Sequence, residues 1–314
     1  MKTYIFRRLI ALIPTLLIVA TIGFLLIHLT PGDPAVVMLG EEATEEQVDM
    51  LRQQLGLDLP VPIQFGRWLG RLVQGDLGQS IFLKRPVTTA IFERLECTLL
   101  LTMYGLGIAI VLGIVMGILA AVKHNTVVDQ SLMMVALLGV SMPSFWLGLN
   151  LILLFALRWR MFPAASYTPV AQGWNLALRS LTLPAFTLGF VSAAPIARMV
   201  RSSMLQVLNQ DYIRTARSKG LRERTVIVSH AFRNALIPTV TIIGMTVGGL
   251  IGGAMVIEQV FALPGVGRLV LSSIARRDYP VIQGILIFFS SIYVFVNLIV
   301  DIIYVYIDPR VKYM

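Results

Sequence analysis

The chain has 314 residues, of which 56% are hydrophobic and only 14% are charged, and its mean hydropathy is +0.79. Soluble domains carry about 25% charged residues, so this deficit places the chain among membrane proteins. The net charge of +9 does not indicate nucleic-acid binding, because the basic residues flank apolar runs rather than form a stripe on a soluble domain. The single cysteine, Cys97, excludes an intrachain disulfide and a thiolate metal cluster.

The first apolar run follows Lys2, Arg7 and Arg8 and extends from Leu9 to Leu29. It is longer than the core of a signal peptide, which has about 7–15 residues, and no small-residue cleavage site follows it. We therefore expect a retained transmembrane helix. Since a helix needs about 20 mostly apolar residues to cross a bilayer, six stretches of the chain qualify. They are Leu9–Leu29, Thr98–Val122, Ser131–Leu157, Leu181–Val200, Ile237–Ile257 and Val281–Tyr306.

Prolines in two of these stretches bear on their shape. Pro143 in the third stretch and Pro195 in the fourth are expected to kink their helices, because proline cannot donate the backbone hydrogen bond. Pro184 is expected to lie in the first turn of the fourth helix, where that donor is not needed.

The basic residues predict which side of the membrane each loop faces. With the N-terminus inside, fourteen of the 26 Lys and Arg residues face the cytoplasm, and eight of these cluster between Arg198 and Arg233. Of the remaining twelve, six lie in the long loop 30–96, which the positive-inside rule largely ignores. Both termini are therefore expected in the cytoplasm.

The loop of residues 30–96 is too long to be a simple connector. Val48, Leu51 and Leu55 recur at helical spacing, and turn-rich segments flank them. We interpret the loop as a small folded helical subdomain on the outer face of the membrane. A floppy polar loop is the alternative, but it would leave the leucines and Trp68 with nothing to bury against.

Residues 201–236 form a second long loop, which is basic and helix-prone. The segment Asp211–Lys219 is expected to form a short helix, with an acid at its start that favours the helix dipole and with Gly220 as its stop. The fourth span is expected to continue inward over Arg198–Leu208 to meet it, and a second short helix is expected over Arg222–Asn234. Such a helix pair offers a docking surface for a cytoplasmic partner, whereas a merely solvated basic loop is the alternative.

Small and polar residues in the last two spans indicate helix packing. Gly244, Gly248 and Gly252 recur every four residues and permit close backbone approach, either inside the subunit's own bundle or along a subunit interface and translocation path. Asn297 and Asp301 lie four residues apart on one face of the sixth span. We expect a structural contact to a neighbouring helix there, and an ion- or proton-coupling site is the alternative.

No motif for catalysis occurs in the sequence. There is no phosphate-binding loop, and the dipeptide Gly-Lys never appears, so ATP hydrolysis is not assigned to this chain. The three histidines, His28, His124 and His230, lie in different segments, and no Gly-x-Ser-x-Gly elbow is present. We predict no catalytic residue, no metal site and no cofactor bound by the chain.

Short segments between the spans resemble those of one family of transport proteins. They are Arg7–Arg8, Pro31–Pro34, Leu55–Asp58, Gly75–Gly78, Ser141–Pro143, Asp211–Leu221, Arg233–Ala235, Pro264–Arg268, Arg277–Val281 and Asp308–Arg310. Taken together, in this order and over nearly the whole chain, they resemble the inner-membrane permeases of bacterial dipeptide, oligopeptide and nickel ABC importers.

This resemblance implies the fold and its division. The fold is an all-α membrane protein with six transmembrane helices, the type I ABC importer permease fold, and a helical extracytoplasmic subdomain. Residues 1–29 hold the cytoplasmic N-terminus and the first span, residues 30–96 the extracytoplasmic subdomain, and residues 97–314 the core with spans two to six. The core includes a cytoplasmic coupling loop at 201–236.

The resemblance also implies the role of that loop. In the family it carries the EAA motif, an acid followed by small residues and a glycine, which forms a coupling helix in a groove of the ATPase. The matching residues here are Asp211, Ala216 and Gly220, and Arg217 lies beside them. Other importer families have the acid followed directly by two alanines and a shorter distance from the glycine to a proline, here Pro238. The peptide and nickel branch shares both departures.

The partners implied by the resemblance are those of an importer in the bacterial inner membrane, surrounded by lipid. They are a second permease, favoured as a different chain, two ATPase subunits that hold ATP and Mg, and an extracytoplasmic binding protein. Small peptides are the expected substrate, followed by glutathione. An ion- or proton-coupled secondary transporter is the alternative, and a six-span channel or receptor is a third class.

Overall fold

A computed structural model describes residues 2–29, 32–40 and 43–307 of the chain. Within these residues the chain is helical, and its only extended pairing is an isolated bridge between Gln79 and Pro86. The α-helices are α1 Lys2–Leu29, α2 Pro34–Leu39, α3 Glu45–Leu55, α4 Val61–Val73, α5 Val87–Val122, α6 Val127–Ser141, α7 Ser144–Leu151, α8 Trp174–Leu208, α9 Asp211–Ser218, α10 Glu223–Thr225, α11 Arg233–Val260, α12 Val266–Ala275 and α13 Tyr279–Ile307. A π-helical turn, Ile152–Arg158, continues α7, a 3₁₀ turn, Val170–Gln172, precedes α8, and a second π-helical turn, Val226–Phe232, joins α10 to α11. Pro31 and the segment Asp308–Arg310, which contribute to the resemblance, lie outside the described residues.

The predicted spans are present as helices. Among the described residues, five helices are each long and apolar enough to cross a membrane, namely α1, α5, α8, the continuous helix Glu223–Val260, and α13. Helix α6 passes the same test together with α7 and its π turn, which gives up to six spans. The all-α fold class predicted from the sequence is therefore confirmed.

The third span is bent where the sequence predicts a kink. Its two halves, Val127–Ser141 and Ser144–Arg158, meet at an angle of 104°. Met142 between them is extended, with φ −82° and ψ 132°, and Pro143 is the N-cap of the second half. Proline disfavours the helical conformation in the residue before it, so the helix ends there.

The predicted start of the fourth span is wrong. Helix α8 begins at Trp174, after Gly173 with φ 130°, so Pro184 lies well inside the helix rather than in its first turn. The helix then runs through Pro184 and Pro195 to Leu208, which confirms that the fourth span continues over Arg198–Leu208. Proline is tolerated inside transmembrane helices because neighbouring helices and side chains satisfy the backbone groups that it frees.

The predicted second short helix of the inner loop is also not a separate element. The chain is continuously helical from Glu223 through the π turn into α11, and Pro238 lies inside that helix. The loop predicted at 201–236 therefore consists of the end of α8, the short helix α9, a brief turn and the start of the next long helix. A π turn adds one residue to a helical turn without ending the helix.

The chain divides into two compact units. Unit 1 consists of Met1–Glu96 and Gly265–Val294, and unit 2 consists of Cys97–Pro264 and Phe295–Met314.

In unit 1, the segment after α1 forms packed helices. Val48 and Leu51 of α3 are buried with Ala35 of α2, and Leu55 and Leu57 pack against them. Thr44 caps α3 with a complete capping box. These contacts agree with a folded segment and not with a floppy loop.

Two further contacts in unit 1 fix the helices of this segment. Trp68 of α4 packs on Phe24 of α1 with ring centroids 5.6 Å apart. Asp33 accepts a hydrogen bond from Ala35 at 2.9 Å and pairs with Arg52, whose hydrogen bond holds the pKa of the Asp33 carboxyl below its ordinary value.

In unit 2, glycines allow α5 to lie directly on α8. A methyl group at Gly117 would stand 2.6 Å from the Cβ of Val200 and 2.7 Å from the carbonyl oxygen of Ala197. At Gly113 it would stand 2.7 Å from the Cβ of Ile196. The second span is thus tightly packed on the fourth, and any larger side chain at these positions must push the two backbones apart.

We predict that Gly117→Leu destabilises the chain by about 1–3 kcal/mol, because overpacking against the α8 backbone cannot be relieved by moving a side chain. The measurement is the apparent melting temperature of the purified chain in detergent. The matched control is Gly107→Leu on the same helix, since a Cβ at Gly107 meets nothing within 4 Å. Equal losses in the two variants would contradict this account of α5–α8 packing.

Candidate functional site

Helix α9 is a short surface helix attached by a narrow buried stripe. Ile213 is completely buried and Ala216 is 7% exposed, whereas the other side chains of α9 are exposed. The two buried residues are three apart and therefore lie on one face of the helix. All other directions around α9 remain available to a partner.

The stripe packs into a buried cluster that three longer helices of unit 2 supply. Ile213 and Ala216 belong to one buried cluster with Val200 and Met204 of α8 and with Ala235 of α11. Val226 and Ala231 of the intervening π turn and Ala109 and Ala121 of α5 complete the cluster. Ile213 and Ala216 therefore share one close-packed cluster with residues of α5, α8 and α11.

The end of α9 is fixed by Gly220, as the sequence predicts. Gly220 has φ +76°, a left-handed conformation that glycine adopts without steric cost. Its N–H donates to the carbonyl of Arg217 at 2.9 Å, and the N–H of Leu221 donates to the carbonyl of Ala216 at 3.4 Å. These bonds satisfy carbonyls that the helix end would otherwise leave unpaired.

Polar contacts connect α9 to the helix that follows it. The guanidinium of Arg217 donates to Glu223 at 2.7 and 3.3 Å, and this hydrogen bonding raises the pKa of Arg217 above its ordinary value. The amide of Asn234 donates to the hydroxyl of Tyr212 at 2.9 Å. Asp211 lies in the first turn, as predicted, with its side chain 95% exposed.

The surface around α9 is strongly basic. Its exposed cations are Arg214, Arg217, Lys219, Arg222 and Arg224. Asp211 and Glu223 are the acids interspersed among them, and each is paired with an arginine. The exposed surface of α9 and of the turn that follows it therefore carries a net positive charge.

An ion pair that the sequence analysis missed fixes the C-terminal part of α8. Arg201 donates to the carboxylate of Asp129 through Nε at 2.6 Å and through a terminal nitrogen at 2.7 Å. The Asp129 side chain is only 4% exposed. Asp129 also accepts from the N–H of Asn125 at 3.1 Å and contacts His124 Nδ1 at 3.2 Å. The first turn of α6 is thereby attached to the part of α8 that leads into α9.

The sequence holds only a weak signal for this pair. Asp129 is an acid at the start of an apolar stretch, and Arg201 is one of many cations in the basic cluster. A nearly buried acid requires a partner, but the sequence does not say which cation supplies it.

Two family models of one class of transport proteins together match nearly the whole chain. The family described as binding-protein-dependent transport system inner membrane component matches residues 113–313, and the family of the N-terminal segment of these membrane components matches residues 1–102. The chain belongs to this family. The predicted resemblance to ABC importer permeases is confirmed.

Relatives of this permease align over their full length. A peptide transport system permease protein of Brucella abortus (strain 2308) is 48% identical over 316 residues, which is 100% of each chain. The glutathione transport system permease protein GsiC of Escherichia coli O6:H1 is 43% identical over 313 residues, again 100% of each chain. The corresponding GsiC protein of Pectobacterium atrosepticum is 44% identical over 313 residues.

A solved structure shares the fold of the permease. A chain of the MetNI methionine ABC transporter superposes with a TM-score of 0.55 at 18% identity, covering 69% of this chain and 95% of that one. At this identity the likeness concerns the fold alone. It supports the type I ABC importer permease fold predicted from the sequence.

The glycines of α11 have different surroundings. Gly244 packs on α13, where a methyl group would stand 2.5 Å from Val300, whereas nothing lies within 4 Å of such a group at Gly249 or Gly252. Gly248 is partly exposed. One part of the glycine pattern therefore serves packing within unit 2, and the other part leaves an open helix surface.

The polar residues of the last two spans are placed as follows. Asn297 is partly buried on α13. Asp301 falls in the same helix, but its side chain lies outside the described residues. Glu258 of α11 is completely buried and accepts a hydrogen bond from the hydroxyl of Thr98 at 2.6 Å. That contact connects α11 to α5 within unit 2.

We predict that Asp129→Ala destabilises the permease by about 3 kcal/mol, because it leaves the guanidinium of Arg201 without its buried partner. The matched control is Arg214→Ala, which removes the pair with Asp211, whose side chains are 72% and 95% exposed. An exposed pair of this kind contributes at most about 1 kcal/mol. The measurement is the unfolding midpoint of each variant in detergent against rising SDS. Similar midpoints for the two variants would exclude a special role for Asp129.

Proposed function

We propose that this permease forms half of the translocation path of an ATP-driven importer for short peptides, and that α9 is its coupling helix to an ATPase. The observation that carries the proposal is the geometry of α9. A rigid helix, fixed at its end by Gly220 and seated on α5, α8 and α11 through two buried residues, presents the rest of its surface outward. This is the arrangement needed to convert the motion of a partner into motion of membrane helices.

The substrate class is inferred from the relatives. Full-length relatives carry names of peptide and glutathione transport system permeases, and glutathione is itself a short peptide. The shared chemistry is a small zwitterion with amide groups. Peptides of a few residues are therefore the proposed cargo, delivered by an extracytoplasmic binding protein.

The proposed assembly supplies what the sequence of this chain lacks. Two separate ATPase subunits hold ATP and Mg, and a second permease, a different chain, completes the path. The open glycine surface at Gly249 and Gly252 on α11 suits a path or an interface, since small side chains leave room there. Gly244, Gly248, Gly252, Asn297 and Asp301 remain the residues proposed for helix packing and the path.

The proposed orientation follows from charge. Both termini and the basic surface around α9 face the cytoplasm, and residues 30–96 face outward. In the proposed cycle, ATP binding draws the two ATPases together and moves the two coupling helices inward. The permease interface then opens outward to accept substrate, and hydrolysis resets it.

We predict that Gly220→Pro and Arg217→Glu each uncouple ATP hydrolysis from peptide uptake. Proline cannot adopt the positive φ of Gly220 and removes the N–H that donates to Arg217. Reversing the charge of Arg217 breaks its pair with Glu223 and inverts the charge of the docking face. The measurement is uptake of a radiolabelled dipeptide together with ATPase activity, in vesicles that contain the chain and its genomic neighbours.

Arg67→Glu is the matched control, because it makes the same charge change at an exposed residue of α4. We expect an uptake loss of about tenfold or more in the α9 variants, with the protein still inserted, and wild-type uptake in the control. Unchanged uptake in both α9 variants would contradict the coupling-helix assignment. Purification without any ATPase would contradict the importer assembly.

A further inference from the structure

Unit 1 contains a large cavity that the proposed coupling function does not use. Its volume is about 950 Å³, within the usual range for small-molecule sites. Several of the segments that resemble the permease family line it, including Leu55 and Leu57, Gly78, and Pro280. The transport role of α9 gives no reason for these segments to converge on one cavity.

A buried acid holds two of these segments together. Asp278, which is 3% exposed, accepts hydrogen bonds from the hydroxyl of Ser80 at 2.5 Å and from the N–H groups of Phe82 and Ile81 at 3.3 and 3.4 Å. The guanidinium of Arg276 stacks over the ring of Phe82 at 3.6 Å. The wall that carries Gly78 and Ser80 is therefore anchored to the segment that begins α13.

Two nearly buried glutamines give the cavity fixed hydrogen-bond acceptors. Gln64 is 8% exposed, and its Nε2 donates to the carbonyls of Leu59 at 2.7 Å and Leu57 at 3.3 Å. Gln283 is 7% exposed, and its Nε2 donates to the carbonyl of Gly23 at 3.0 Å. Within the described part of the chain, neither Oε1 receives a donor. Both residues line the cavity, so two oriented carboxamide oxygens are available to a ligand.

The remaining walls combine apolar and charged groups. Phe24 and Trp68 provide an aromatic surface, and the exposed side chains of Arg71 and Lys84 add positive charge at the cavity. Among the described residues, Asp76 is the one carboxylate of the lining, and it accepts from the N–H of Gly78 at 2.8 Å. A ligand that suits these walls has N–H donors, a carboxylate and small apolar side chains.

We propose that this cavity binds a short peptide, with the N–H groups of the peptide donating to Oε1 of Gln64 and Gln283 and its carboxylate facing Arg71 and Lys84. The choice of a peptide rests on the proposed function, since the same donors and charges are those of the proposed cargo. Most of the lining belongs to residues 30–96, the segment proposed to face outward, so the site receives substrate before the translocation path does.

The test uses neighbouring glutamines of α3. Gln54 and Gln53 are both exposed, but only Gln54 lines the cavity. Gln54→Trp fills the cavity without breaking a buried hydrogen bond, and Gln53→Trp adds the same bulk elsewhere on the helix. The full chain, co-expressed with its genomic neighbours and placed in lipid nanodiscs, is titrated with radiolabelled trialanine without ATP or binding protein.

We expect saturable binding to wild type and to Gln53→Trp, and binding weakened by about tenfold or more in Gln54→Trp. Trisarcosine, whose N-methylated peptide bonds carry no N–H, should compete about tenfold more weakly than trialanine. Absence of saturable binding to wild type, equal binding by the two variants, or equal competition by trisarcosine would each overturn the site.

Uptake separates this proposal from the proposed function. ATP-driven trialanine uptake by the wild-type assembly tests peptide import, and it is measured apart from binding. Uptake without cavity binding overturns the cavity site alone. Cavity binding without uptake supports the site and contradicts peptide import.

Discussion

Helix α8 packs against α5, α6, α7 and α11. It is also the most buried of the five helices that could each cross a membrane, because 67% of its most apolar 18-residue segment is buried. In a bilayer there is little hydrophobic force between helices, so this packing depends on close van der Waals contact. Gly113 and Gly117 of α5 permit that contact. Because α8 continues to Leu208, the same packing supports the buried stripe of α9. The site is thus built on the best-packed helix of unit 2.

The charged residues around α8 and α9 have two different roles, since one pair is nearly buried and the others are exposed. Asp129 and Arg201 use two short hydrogen bonds to fix the end of α8, and the burial of Asp129 makes the loss of either partner costly. The charges of α9 are mostly exposed and contribute little to stability. Their exposure suits the docking of a partner that we propose for α9, because complementary charge governs encounter and specificity.

Much of the fold follows from local patterns that the sequence displays directly. Apolar length predicts the spans, Pro143 the bend and Gly220 the end of α9. The start of α8 at Trp174 and the continuity of the helix through Pro238 could not be predicted, because tertiary packing there overrides local signals. The pair Asp129–Arg201 and the cavity at Gln64 and Gln283 join residues far apart in the chain. The sequence identifies the motif segments that build the cavity but gives no sign that they meet.

The π turn at Val226–Phe232 has a consequence for how α9 and α11 are related. A π turn holds one residue more than an α turn, and one residue corresponds to about 100° of rotation around a helix axis. The extra residue therefore determines the direction in which the faces of α11 beyond the turn point, including the open surface at Gly249 and Gly252. Removing that residue would convert the turn to α-helix and swing the downstream faces by roughly a quarter of a circle. The number of residues in this short stretch therefore determines which face of α11 meets the neighbouring helices.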